Sequence, residues 1–362
     1  MIPPMQRLFK EGISPVEGSA LQGIPKLMVV VDTEEEFDWS RPYSRSAVGV
    51  AHVGELGRVQ TIFERYGIVP TYVVDYPIAT QEEAFGTLRQ WQEDCRCEIG
   101  AHLHPWVNPP FDEELSVTNS YPGNLPPALE REKLARLTDA IARNFGQRPA
   151  IYRAGRYGIG SNTAAILEGL GYLIDTSVVP FTSFVDEGGP DFALLSRDPF
   201  WFGASQQVLE IPLTIGWFGV LNAWGGQLQP LLRSRRAIRL HLPGVFSRLG
   251  LFERIRLTPE GTSFAELCRL TKTLLAAGTR LFVLSFHSPT VVPGNTPYVR
   301  DRPDLQAFLR TIDEYCEFFR TSCGGDSSTL REVRRLLAAK DRSGGDPIME
   351  SDPPLVHSAS AT

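Results

Sequence analysis

The sequence of 362 residues lacks the features of a membrane protein and of a disulfide-bonded protein. No apolar run approaches the ~20 residues that a membrane-spanning helix needs. The N-terminus, MIPPMQRLFKEGISP, has no apolar core of the kind found in signal peptides, which predicts that the chain is not exported by that route. The five cysteines are an odd number, and this favours reduced thiols in the cytoplasm over a disulfide framework.

The sequence also lacks an excess of positive charge. Its 36 Lys and Arg residues are outnumbered by 42 Asp and Glu residues, which gives a net charge of -6. Nucleic-acid-binding domains usually have a basic face and a high isoelectric point, so we predict no nucleic-acid partner. With 42% hydrophobic and 22% charged residues, the composition is that of a folded globular protein and excludes a disordered, collagen-like or coiled-coil chain.

The sequence does contain a regular alternation of strand-like and helix-like segments. Strand-like runs include LMVVV (27–31), IVPTYVV (68–74) and RLFVLSFH (280–287), and helical spacing occurs between them, as in residues 128–146 and 303–321. Six strand–helix pairs at spacings of 25–40 residues predict parallel βα units in an α/β fold, arranged as a wound sheet or a barrel.

This alternation also predicts the domain organisation. Residues 1–26 are interpreted as an N-terminal arm, and residues 27–338 as one barrel-like unit. The interval of about 180–262 breaks the alternation and is interpreted as an insertion, with an extra strand predicted at 208–219. Residues 339–362 contain little that could be buried, and we expect a disordered tail.

Two pairs of polar residues follow predicted strands with a spacing of two. Asp32 and Glu34 lie in VVVDTEEEFDW, and His102 and His104 lie in EIGAHLHPW. In an extended chain, residues two apart share a face, so each pair can point into one site. Two imidazoles aimed at one point suit Zn²⁺. The alternatives are a solvated acidic loop for the first pair, and one buried and one surface histidine for the second.

Three further charged residues end predicted strands. Arg153 lies in IYRAGRYGIG, where a guanidinium beside a carboxylate would orient it and keep it ionised. Asp175 and His287 end separate strands, and a histidine held by a carboxylate has the raised pKa that a general acid needs near neutral pH. The alternatives are a surface arginine in a glycine turn and a structural histidine. The remaining histidines, His52, His241 and His357, are given no role.

Aromatic residues occur in the same loops. Trp39, Trp106 and Tyr157 could provide flat faces for sugar rings, although ordinary packing explains each of them equally well. A separate stretch, residues 231–257, contains seven arginines and one glutamate among apolar residues. Such a basic amphipathic stretch predicts a peripheral contact with an anionic membrane or a lipid-linked glycan, and the alternative is helices packed on the barrel with their arginines in water.

Taken together, the segments DTEEEFDW, EIGAHLHPW, YRAGRYG and SFHSP resemble the motifs of the polysaccharide deacetylase family, also called carbohydrate esterase family 4. The resemblance runs from about Leu27 to Leu337. The four segments together are similar to those of an intracellular bacterial branch of the family, which is linked to surface-polysaccharide synthesis. It implies the NodB homology fold, which is a distorted (β/α)7 barrel. It also implies a metal-dependent hydrolase that removes N-acetyl groups from a sugar or a polysaccharide precursor.

The resemblance assigns a role to each motif residue. Asp32 corresponds to the catalytic base, with Arg153 beside it, and His287 to the catalytic acid, with Asp175 as the acidic residue of the fourth motif. Glu34 and His102 correspond to metal ligands, and the metal is expected to be Zn²⁺. The family usually places its two metal histidines four residues apart, but Trp106 stands at that position here. The second ligand is therefore transferred to His104, and Glu35 is an alternative to Glu34.

The motifs leave two other functions open. The same residues would serve a hydrolase of another amide or an ester, such as an O-acetyl group or a small cyclic amide. A barrel that binds carbohydrate without catalysis is the other alternative, although binding alone needs no acid–base pair.

Overall fold

The computed structural model describes residues 8–16, 23–218 and 253–342. The strands of this part of the chain are β1 (Ile13–Pro15), β2 (Lys26–Thr33), β3 (Thr71–Val74), β4 (Glu98–Leu103), β5 (Ile151–Ala154), β6 (Ile174–Asp175), β7 (Phe200–Phe202), β8 (Val208–Glu210), β9 (Ile215–Phe218), β10 (Glu253–Arg256), β11 (Leu281–His287) and β12 (Asp326–Ser327). Its α-helices are α1 (Gly57–Arg65), α2 (Tyr76–Thr80), α3 (Glu82–Glu93), α4 (Pro127–Phe145), α5 (Thr163–Leu170), α6 (Phe264–Ala276), α7 (Arg302–Thr321) and α8 (Leu330–Arg342).

The central sheet is mainly parallel. Its strand order is β1-β7-β8-β6-β5-β4-β3-β2-β11, with β12 also paired to β2. Every pair from β8 to β11 is parallel, and only β1–β7 and β7–β8 are antiparallel. Strand β2, KLMVVVDT, is buried at all but its first residue, as expected for a parallel strand with apolar residues on both faces. The predicted α/β fold is confirmed.

The sheet curves as a distorted barrel does, but its ladder is not closed among the described residues. Strands β9 and β10 form a separate antiparallel pair. Single backbone hydrogen bonds link the segments on either side of the gap, since Leu257 N donates to Thr214 O at 2.9 Å and Ser285 N donates to Leu257 O at 3.2 Å. The barrel therefore has a seam between β8 and β11. We define this seam as the segments around Thr214, Leu257 and Ser285.

Helices cover the sheet with amphipathic faces. In α1, the apolar residues Val59, Ile62 and Phe63 are buried at helical spacing, and this helix packs against α7. Helix α6 also packs on α7, and its start is fixed by a capping box between Ser263 and Glu266. No helix among the described residues is long and apolar enough to cross a membrane.

The predicted elements differ from the observed ones mainly at their ends. Helices predicted at 82–94 and 128–146 are found as α3 and α4, within one residue at each end. The strand predicted at 172–179 is reduced to the two residues of β6, and the one predicted at 208–219 is divided into β8 and β9. Helix α8 was not predicted, because the tail was expected to begin close to it.

Both the arm and the predicted insertion contribute strands. Strand β1, in the described part of the arm, pairs with β7, and Leu8 and Phe9 are buried in the core. Within the interval 180–262, strands β7 and β8 extend the central sheet. Most of the basic stretch 231–257 lies outside the described residues, which include only its last five positions, and so does the tail beyond residue 342. The domain boundaries and the membrane contact remain predictions.

Candidate active site

The residues predicted from the strand ends meet at the carboxyl edge of the parallel sheet. Asp32 ends β2 opposite His287 of β11, and the two residues are partners in the strand register. His102 of β4 and Arg153 of β5 are partners in the same way. Parallel strands align their carboxyl ends at one edge, where active sites of βα folds assemble.

Asp32 is a buried carboxylate held by a buried arginine. Arg153 Nη1 donates to Asp32 Oδ1 at 2.5 Å, while Nε and Nη2 of Arg153 donate to the backbone and hydroxyl oxygens of Thr176. Burial alone would raise the pKa of Asp32, but the positive charges of Arg153 and His287 hold it below its ordinary value. Asp32 is therefore ionised at neutral pH and able to accept a proton.

Three donor atoms converge beside Asp32. Oε2 of Glu34 lies 3.4 Å from Nε2 of His102 and 3.5 Å from Nε2 of His104. The other carboxylate oxygen of Glu34 is buried and has no hydrogen-bond partner. Burial lowers the pKa of both histidines, to about 4 for His104, so both rings are neutral at pH 7. One carboxylate, with one of its oxygens unpartnered, and two neutral imidazoles fit a zinc-type ion.

The other ring nitrogens are held by oxygen atoms. Nδ1 of His102 donates to the backbone oxygen of Arg153 at 3.0 Å, which leaves the lone pair of Nε2 directed toward Glu34. Nδ1 of His104 lies 2.7 Å from Oε2 of Glu35. Trp106, at the position of the family's second histidine, stacks on the His104 ring at 4.2 Å and donates to Glu35 at 2.6 Å. Such partners of Nδ1 fix the ligand atom and its direction.

Glu35 faces away from the two Nε2 atoms. Its backbone N–H donates to Asp75 at 2.6 Å, and Asp75 in turn accepts from the N–H of Ile78 at the start of α2. Burial raises the pKa of Glu35 to about 8 and that of Asp75 well above its ordinary value, so burial favours the protonated form of both carboxyls. Glu34 therefore fits the ligand position, and Glu35 positions His104.

The structure gives His287 a different partner from the one predicted. Nδ1 of His287 lies 2.9 Å from Oε2 of Glu260, whose Oε1 accepts from the His287 N–H and from the Thr290 hydroxyl. Nε2 of His287 lies 3.9 Å from Asp32 Oδ2. Burial alone would lower the pKa of His287, but Glu260 and Glu34 outweigh it and raise the pKa to about 10. His287 is thus protonated at neutral pH.

Asp175 does not contact His287, contrary to the prediction. Its Oδ1 accepts from the Ser177 hydroxyl at 2.5 Å, and its carboxyl lies beside that of Glu210. Strand β6 pairs with β5, which carries Arg153, so Asp175 lies near the guanidinium of Arg153. Burial raises the pKa of Asp175 to about 6. Asp175 therefore interacts electrostatically with Arg153 and does not orient His287, the candidate acid.

His52, which the sequence left without a role, is buried next to the site. Its Nδ1 lies 3.1 Å from Glu36 and its Nε2 lies 2.7 Å from the hydroxyl of Ser288. The oxygen of that hydroxyl accepts from the backbone N–H of Glu34 at 3.3 Å. His52 thereby connects the segment after β2 with the residue that follows His287.

Two contacts fix the position of His104 and of the segment after it. Gly155 directly follows β5, and a Cβ at this position would lie 2.4 Å from Cδ2 of His104. Only glycine therefore leaves room for the His104 ring. Lys133 of α4 is fully buried, and its ammonium donates to the backbone oxygens of Pro105, Asn108 and Pro110 at 2.9, 2.6 and 2.5 Å. An ion pair of 3.1 Å with Glu113 completes its contacts.

A cavity of about 700 Å³ opens over these residues. Trp39, Trp106 and Tyr157 all line it, as do the catalytic candidates Asp32 and His287. Trp39 is 36% exposed and meets the His287 ring edge-on at 5.0 Å, whereas Trp106 is buried. The cavity has the size of a small-molecule site, and Trp39 offers an accessible face beside the acid.

Comparison with known proteins finds similar structures but no similar sequences. No family model and no curated protein matches the sequence. A crystal structure described as a "putative polysaccharide deacetylase from Mycobacterium smegmatis" superposes with a TM-score of 0.50 at 16% identity, over 94% of this chain and 98% of that chain. The chain has the polysaccharide deacetylase fold. The fold implied by the motif resemblance is thereby confirmed.

Two other solved structures have lower scores. A peptidoglycan deacetylase from Bacillus subtilis is 10% identical with a TM-score of 0.42, over 89% of this chain and 96% of that chain. A chitin deacetylase from the fungal pathogen Colletotrichum lindemuthianum is 12% identical with a TM-score of 0.42, over 86% and 88%. At these scores they add nothing to the assignment of the polysaccharide deacetylase fold.

On this polysaccharide deacetylase fold, three residues of the site were missed by sequence reasoning. Asp75 carried a usable signal, because it directly follows the strand β3 and precedes the helix α2. His52 and Glu260 carried none, since one lies in a short 3₁₀ helix and the other in the loop TPEGTS between β10 and α6. Loop residues reach the site through tertiary packing, which local periodicity does not report.

Proposed function

We propose that the protein is a metal-dependent hydrolase that removes N-acetyl groups from a carbohydrate. The observation that carries this proposal is the arrangement of Glu34, His102 and His104 beside an ionised Asp32 and a protonated His287. Three donors for one ion, with a base and an acid in the same cavity, are the groups that amide hydrolysis needs. The polysaccharide deacetylase fold supports the same reading.

The ion that suits the donors is Zn²⁺ or a similar divalent cation, held by Glu34, His102 and His104. When bound, such an ion polarises the acetyl carbonyl and lowers the pKa of water from 15.7 toward ~7. The hydrogen bonds at the Nδ1 atoms keep the two rings aimed at it.

The chain itself moves two protons. Asp32 accepts a proton from the attacking water, and Arg153 holds the carboxylate in place for this step. His287 donates the proton from Nε2 to the nitrogen of the breaking C–N bond, and Glu260 stabilises its charged form. The products are acetate and the free amine, so one water molecule is consumed for each acetyl group. Trp39 is positioned to carry a sugar ring next to His287.

Acetate release tests the proposal. The zinc-loaded protein should release acetate from N-acetylated oligosaccharides of chitin or peptidoglycan. Chelation should abolish release, and added Zn²⁺ or Co²⁺ should restore it. Asp32→Asn should abolish release while metal content is retained, and Arg148→Gln, a change at an exposed ion pair with Asp139, is the control variant. Release that persists in Asp32→Asn would refute the role of the base. If the protein hydrolyses only O-acetyl esters or cyclic amides, those compounds are its substrate class instead of N-acetylated sugars.

The proposal includes a cytoplasmic location. All five cysteines are free, which suits a reducing compartment. A peripheral contact with anionic membrane through 231–257 stays part of the proposal, and co-sedimentation with anionic vesicles at low salt tests it.

A further inference from the structure

We propose that the substrate carries an anionic oxygen group, a carboxylate or a phosphate, which Arg256 binds inside the cavity. This inference rests on the proposed function and adds the class of sugar that the site accepts. Arg256 ends β10 and lines the same cavity as Asp32, Glu34 and His287.

Arg256 differs from the other arginines that line the cavity. Arg41 pairs with Asp38 at 3.0 Å, and Arg156 pairs with Glu187 at 2.5 Å. No carboxylate of the described residues lies within 4.0 Å of the Arg256 guanidinium, and its Nε is buried without a hydrogen-bond partner. The guanidinium of Arg256 therefore has hydrogen-bond donors free for a ligand, and an anionic ligand would supply a counter-charge.

The surroundings of Arg256 are arranged to receive an oxyanion. Its Nη2 donates to the hydroxyl oxygen of Tyr157, and the guanidinium lies 4.7 Å from the centre of that ring. Burial raises the pKa of Tyr157 to about 12, so the phenol keeps its proton. The remaining guanidinium N–H groups and the phenol hydrogen together can donate to two oxygens of one anionic group, which is the geometry that arginine favours.

The charge of the site gives Arg256 a second effect. Asp32 and Glu34 are buried acidic groups of the same cavity, but Arg153 is paired with Asp32 and His287 is protonated, so these charges offset one another. Arg256 is a further positive group on the cavity wall, and it favours a sugar whose anionic group meets it. A neutral sugar has no need of this residue.

Matched ligands test the inference by binding, independently of turnover. Calorimetry should compare N-acetylmuramic acid, N-acetylglucosamine 1-phosphate and neutral N-acetylglucosamine on the zinc-loaded protein. We expect at least one of the two anions to bind about tenfold to hundredfold more tightly than the neutral sugar, the range of a charge-assisted hydrogen bond. The preferred anion identifies the group as carboxylate or phosphate.

Variants then assign the preference to Arg256. Arg256→Gln should reduce it to less than threefold, Arg256→Lys should retain part of it, and the ion-paired control Arg148→Gln, outside the cavity, should leave it unchanged. Thermal unfolding checks that each variant folds. If Arg256→Gln does not fold, Arg256→Lys provides the test: it keeps the positive charge but loses bidentate binding, so the preference for the anion should be reduced. Equal binding of all three sugars, or a preference that survives Arg256→Gln, would overturn the inference.

The two proposals fail separately in this design. Preferential binding of an anionic sugar without any acetate release would leave Arg256 as an anion site and remove the deacetylase activity. Acetate release from neutral chitin oligosaccharides, with no preference for either anion, would leave the activity and remove the anion site.

Discussion

The buried ammonium of Lys133 is expected to be the main anchor of the segment after the metal histidines. Lys133→Met keeps much of the side-chain volume but removes the donor of three hydrogen bonds and the partner of Glu113. Three backbone oxygens and a carboxylate then remain buried without a donor. Breaking a buried charged pair in this way typically costs about 3–5 kcal/mol.

This cost can be measured as a shift of the melting temperature. For roughly 300 folded residues at ~2.1 cal/mol/K each, the unfolding entropy is about 0.6 kcal/mol/K, so a loss of ~4 kcal/mol lowers the melting temperature by roughly 6 °C. Differential scanning calorimetry of the zinc-free protein measures the shift. Arg136→Met on the same helix is the matched control, because its ion pair with Glu132 is half exposed and its loss should shift the melting temperature by less than about 1 °C.

The double variant Lys133→Met/Glu113→Gln separates the charge from the packing. It removes the unpaired carboxylate, so we expect it to recover part of the loss. A melting temperature of Lys133→Met within 1 °C of the wild type would refute the reasoning. We also expect Lys133→Met to bind zinc more weakly, since Pro105 directly follows His104 in the chain.

Three further predictions concern single residues. Gly155→Ala places a Cβ 2.4 Å from His104, so zinc affinity should fall about tenfold or more in a competition titration, with unchanged circular dichroism. Glu260→Gln removes the carboxylate that raises the pKa of His287 to about 10, so the high-pH limb of kcat/KM should move to lower pH while metal content is unchanged; an unmoved limb would contradict the assignment. Burial raises the pKa of Glu130 from 4.5 to about 7, so stability from this group is present below pH 4.5 and is lost as the pH rises through 7. Between pH 4.5 and 8, the free energy of unfolding of Glu130→Gln should therefore rise by up to about 3 kcal/mol relative to that of the wild type. Unfolding free energies of the two proteins that change in parallel with pH would contradict this.

The parts of the site that could be predicted from the sequence are those at strand ends. Asp32 and His287 follow continuous apolar runs, and parallel pairing brings any two such ends to one edge of the sheet. The spacing of two between His102 and His104 likewise predicts that both rings share one face, and in the structure both Nε2 atoms lie near Glu34.

The partners of these residues could not be predicted in the same way. Asp175 also ends a strand, but its distance from His287 depends on the strand order, which the sequence pattern does not contain. Glu260 reaches His287 from a loop that is 27 residues away in the chain. The choice between Glu34 and Glu35 likewise required side-chain directions, because both follow the same strand.

The pairing of β9 with β10 has a consequence for how this protein can vary. Phe218 and Glu253 are register partners, so the chain between them leaves and re-enters the barrel at a single point. The entropy of closing such a loop grows only slowly with its length, and insertions here leave the parallel strands undisturbed. Arg256 lies three residues after that point of return. A change in the length of the sequence between Phe218 and Glu253 can therefore leave both the position of Arg256 and the chemistry at the strand ends unaltered, because β9 and β10 hold its two ends together.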